Sequence, residues 1–116
     1  MASVTFEIPD ELAKRIERFG RWLPTVLEIS LLGLKTPAVQ TASEIVEFLA
    51  QDPSHKELQD YHGSSRGQER LARLLALNRS GCIGEEETQE LDELLKLEHL
   101  FRSLKANVSS DDIAAA

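Results

Sequence analysis

Apolar and polar residues alternate at Val4-Thr-Phe-Glu-Ile8, and this period of two predicts a short strand with Val4, Phe6 and Ile8 on one face. Pro9 ends it. From Asp10, a suitable N-cap, the period changes to that of a helix, with Leu12, Ile16 and Phe19 forming one stripe up to Gly20. Pro24 opens a second predicted helix that runs to about Lys35. Its residues Val26, Leu27, Ile29, Leu31, Leu32 and Leu34 leave few polar faces, so it belongs in a core or at an oligomer interface. Thr36-Pro37 starts a third helix, to about Gln51, with Ala38, Ala42, Ile45 and Leu49 in register.

Residues 52–65 are polar and turn-rich and read as a linker, with a possible helical turn between Lys56 and Tyr61. Two leucine-rich segments follow, about Arg66–Asn78 and Glu85–Ala106, separated by a glycine-containing turn. They predict a helical hairpin. The last helix carries Leu91, Leu94, Leu97, Leu100, Phe101 and Leu104, more apolar surface than one partner helix of about three turns covers. These six are the expected partner-binding residues, with closure of a five-helix core as the competing use of the same surface.

The expected fold is therefore mainly α. A lone five-residue strand is not stable by itself, and the chain offers no second one, so the strand is expected to pair across a homodimer. The domain reading is a strand-and-helix module at 1–51, a linker at 52–65, a partner-binding hairpin at 66–107 and a disordered tail at 108–116.

Composition narrows the function. Aromatic residues are only 5% of the chain, so the core must be built of Leu, Ile, Val and Ala. The single Cys82 excludes an internal disulfide framework, no apolar run reaches membrane-spanning length, and the start MASVTFEIPDE lacks the pattern of a signal peptide, so a cytoplasmic location is expected. The net charge of −7 gives no general attraction to nucleic acid. Charge is uneven, however. Residues 66–84 hold four basic and one acidic side chain, and residues 85–98 hold one basic and seven acidic. Arg66, Arg70 and Arg73 share a stripe that suits either phosphate or the acidic helix that follows, and the local charge balance favours the latter.

No chemistry-bearing constellation is present. His55, His62, His99 and Cys82 lack metal-ligand spacing, and the loop at Asn78–Glu87 has too few oxygen ligands for calcium. There is no phosphate-cradling glycine loop and no nucleophile elbow. The expectation is a non-enzyme with no catalytic residues, no metal and no cofactor.

Residues 3–35 resemble ribbon-helix-helix DNA-binding proteins in the order of their elements. The resemblance implies a paired ribbon entering the major groove. Ser3, Thr5 and Glu7 would then face the bases, and Thr25, near the start of the second helix, would hold phosphate. The segments FEIPDELAKRIERF and EIVEFLAQDPS, with Asn78-Arg79, Gly81, Glu85 to Glu87 and Leu104-Lys105-Ala106, are also similar to a family of small bacterial antitoxin-like proteins. Cys82-Ile83-Gly84 departs from that family's more usual polar capping residues. This second resemblance implies a protein that neutralises a small nuclease-type toxin and binds its own promoter. The alternative is a dimeric scaffold without DNA binding.

Overall fold

A computed structural model describes residues 2–115, with side-chain positions through Val108. The chain is mainly helical: α1 (Asp10–Glu17), a 3-10 turn at Gly20–Trp22, α2 (Leu23–Ser30), α3 (Ala38–Leu49), α4 (His55–Asp60), α5 (Ser65–Ser80) and α6 (Glu85–Ala115). None of these helices is long and apolar enough to cross a membrane.

Residues 2–9 form no strand within the chain. Val4 is 81% exposed and Phe6 64%. A strand needs a neighbouring backbone, and no other segment among the described residues is extended beside this one. Pro9, not Asp10, occupies the N-cap of α1, and the acidic side chains of Asp10 and Glu11 fall in its first turn, where the helix dipole favours them. The second helix stops at Ser30, short of the expected Lys35. Ser30 Oγ bonds back to the Val26 carbonyl, and Gly33 turns the chain at φ +66°, a conformation that costs a glycine little.

The expected linker contains α4. Ser54 and Glu57 form a capping box, the Ser54 hydroxyl accepting from Glu57 N–H while the Glu57 carboxylate accepts from Ser54 N–H. Leu58, on this one short helix, is fully buried. The helical hairpin has the expected punctuation. Gly81 at φ +76° ends α5 in a Schellman motif, with Cys82 N–H on Leu77 O and Gly81 N–H on Asn78 O. Glu87 reaches back to Gly84 N–H and so caps α6 in place of the absent serine or threonine. Helix α6 then continues to Ala115, through the segment where a frayed tail was expected. Neither glycine nor proline occurs after Gly84 to stop it, and buried Val108 ties the helix down beyond Ala106.

The long α6 is the spine of the fold: α2, α3, α4 and α5 all pack on it. Phe19, Trp22, Ile29, Ile45, Leu49 and Leu58 from the first half enclose Leu97, Phe101 and Val108. A smaller cluster joins Ala38 and Leu74 to Leu91 and Leu94. The surplus leucines of the last helix are thus absorbed by the chain's own first half. Side chains from Phe19 to Leu58 thus pack with Leu97, Phe101 and Val108 in the larger cluster, and Ala38 packs with α5 and α6 in the smaller one. Leu97 is 1% exposed at the centre of this packing. Leu97→Ala is expected to lower unfolding free energy by about 2–5 kcal/mol, read from urea unfolding followed by circular dichroism.

Candidate functional site

Two carboxylates lie on the leucine-bearing side of α6. Glu93 is only 6% exposed, and Glu90 is buried too. Glu93 accepts hydrogen bonds from the backbone N–H groups of Lys35 and Thr36 at 3.1 Å and from the Thr36 hydroxyl at 2.7 Å, with Gln89 Nε2 at 3.4 Å. These donors sit just before α3, where backbone N–H groups and the helix dipole favour an anion. Thr36 Oγ1 in turn accepts from Ala38 N–H at the start of that helix. Burial raises the Glu93 carboxyl pKa, but the bonds from Thr36, Lys35 and Gln89 outweigh it and hold the group below its ordinary value. Its role is to join the α2–α3 loop to α6.

Glu90 accepts a bidentate pair from Arg70, with Nε at 2.8 Å and Nη2 at 2.9 Å. The hydrogen bond to Glu90 raises the Arg70 pKa. Arg70 is thereby turned towards α6, as the local charge balance of the sequence indicates.

The residues expected to touch partners are placed as follows. Ser3, Thr5 and Glu7 are exposed on the N-terminal segment. Thr25 is 8% exposed and lies in the packed side of α2, so its hydroxyl does not present itself to a phosphate. Leu91, Leu94, Leu97 and Phe101 are buried inside the chain, and Leu100 and Leu104 are half-buried against the same core. They are therefore not a free docking surface in this state. The large apolar side chains that do face outwards include Val4, Phe6, Leu27, Leu31 and Leu95.

A cavity of about 420 Å³ opens between α3, the α4–α5 loop, α5 and α6. Its lining includes Ile45, Leu71, Leu94 and Leu97 on the apolar side and Glu44 and Tyr61 on the polar side. Tyr61 stacks on Phe48 at 4.1 Å between ring centroids and tilts against Phe101 at 5.4 Å. Burial, and then the nearby Glu44 charge, raise the pKa of its phenol. The sequence reading missed Glu44, Glu90 and Glu93. A signal was available for two of them: Glu90 lies at i−4 and i−7 from Leu94 and Leu97, and Glu93 at i−4 from Leu97, so both fall on the apolar stripe. Glu44 gave no such signal, because the cavity exists only once α3 meets α5 and α6.

No protein-family model, curated protein or solved structure matches the chain.

The engagement of Glu93 has a pH consequence. Its pKa is lowered in the folded chain, so its stabilisation is complete above the ordinary glutamate value of 4.5 and is lost as pH falls through the lower folded value. The urea midpoint is expected to fall between neutral pH and acid. Glu93→Gln is expected to cost about 2 kcal/mol at neutral pH and to flatten that acid limb.

Proposed function

We propose that this chain is a non-catalytic, antitoxin-like binding protein that acts as a homodimer. The observation that carries the reading is the N-terminal segment, apolar and outward-facing at Val4 and Phe6, with no strand partner among the described residues. A second copy supplies the missing backbone. Two such segments related by a two-fold axis pair antiparallel and bury Val4, Phe6 and Ile8 against their counterparts. Burial of that area is favourable by about 25 cal/mol per Å².

The protein partner is a small, basic, nuclease-type toxin, as the resemblance to antitoxin-like proteins implies. With the leucine stripe committed to the core, its contact is the outer surface of α6, where Glu85, Glu86, Asp92 and Leu95 are exposed. Acidic side chains there speed encounter with a basic surface. Operator DNA would meet the same dimer through Ser3 and Thr5, with Glu7 suited to a cytosine amino group.

A second reading, a dimeric scaffold without DNA binding, is favoured by one observation: buried Thr25 leaves the ribbon without its expected phosphate contact.

Light scattering at micromolar concentration is expected to give the mass of a dimer. Phe6→Asp should weaken association at least about tenfold, roughly 1.4 kcal/mol, without loss of helical signal. A monomeric mass for the native chain refutes the dimer. The antitoxin role is tested by co-expression. The product of the adjacent reading frame should inhibit growth alone and be neutralised by this chain, and a harmless neighbour removes that role.

A further inference from the structure

The cavity between α3, α5 and α6 is lined by both apolar and charged side chains. Its volume of about 420 Å³ falls in the range of small-molecule sites and is too small to admit a helix. Ile45, Leu71, Leu94 and Leu97 supply apolar parts of its wall, and the rings of Tyr61 and Phe101 stand at 60° to one another along it.

Three charged groups on the lining are already engaged. Arg102 is paired with Glu98 one helical turn away. Lys105 donates to the carbonyls of Gln59 at 3.2 Å and Tyr61 at 2.7 Å, and its ammonium stands 5.3 Å from the centre of the Phe101 ring. Glu44 is different. Among the described residues its hydrogen-bond donor is a single hydroxyl, Ser64 Oγ, 3.0 Å from each carboxylate oxygen. Glu44 is only partly buried, so its other acceptor sites are accessible from the cavity side. The Ser64 bond also fixes its position, since the same hydroxyl accepts from Gly67 N–H and caps α5.

Gly67 keeps the approach open. A Cβ at this position would stand 3.2 Å from Ser64 Oγ and 3.7 Å from Glu44 Oε2.

We infer that this cavity is a binding site for a small organic cation, an ammonium head with an apolar, preferably aromatic body. The head is held by the Glu44 carboxylate beside the Tyr61 ring, and the body lies on Ile45, Leu71 and Leu97. The carboxylate acts on such a head through charge-assisted hydrogen bonds. The inference does not rest on the antitoxin reading, because it concerns the interior of one chain.

Calorimetric titration of the full chain with phenethylammonium, phenethyl alcohol and phenylacetate tests it. These probes share a body and differ in the head. The ammonium is expected to bind at least about tenfold more tightly than either of the others. The chain has a single tyrosine, so the ring resonances of Tyr61 report occupancy directly and should shift on saturation. Glu44→Gln should bring the ammonium to within about twofold of the alcohol while leaving alcohol binding unchanged. Ser64→Ala, which retains the carboxylate, should keep the preference. The wild-type probe series decides the matter even if a variant fails to fold. Tighter binding of phenylacetate, equal binding of all three, absence of a Tyr61 shift, or a cation preference that survives Glu44→Gln overturns the assignment.

Discussion

The Glu93 carboxylate is the contact on which the architecture turns. It is a charge on the packed side of a leucine-rich helix, and an unpaired charge there would be costly. The cost is met by donors from a distant part of the sequence, two backbone N–H groups and the Thr36 hydroxyl. Those donors are available because α2 stops at Ser30 and Gly33 turns the chain back. Had the second helix continued to Lys35, its N–H groups would have bonded within the helix. The bond therefore fixes both where α3 begins and how it lies on α6. Non-directional leucine contacts do not set the register between two helices so narrowly.

The same logic explains the second buried carboxylate. Arg70 meets Glu90 in a bidentate pair across the hairpin, so α5 and α6 are set in register by a directional contact as well as by Leu74, Leu91 and Leu94. Removing one member of such a pair leaves its partner buried and unmatched, which is how ion pairs of small net worth can still specify one arrangement. With α3 and α5 both fixed on α6, the space between them is fixed too. The cavity with Glu44, Tyr61 and Phe101 is a by-product of that geometry.

The outer surface has a different character. The core uses the apolar stripe of α6, and the outward apolar groups among the described residues include Val4, Phe6, Leu12, Leu27, Leu31, Val39 and Leu95. The acidic start of α6 remains at the surface, where it favours the helix dipole and sets a negative field.

Much of the fold was legible in the sequence because local rules wrote it there. The periodicity of Ala38, Ala42, Ile45 and Leu49 marks the buried face of α3, and Gly81 marks the end of α5 through its left-handed backbone. Ser54 and Glu57 spell a capping box, which opens α4 where the composition reads as a linker with a helical turn between Lys56 and Tyr61. What the sequence could not settle was the destination of each apolar face. Leu97 and Leu31 both lie in segments whose pattern predicts a helix, yet one is 1% exposed and the other 85%. Hydrophobicity states that a surface gains by burial but carries no address. The addresses came from tertiary structure, through the directional bonds of Glu93 and Glu90 that only a folded chain can bring together.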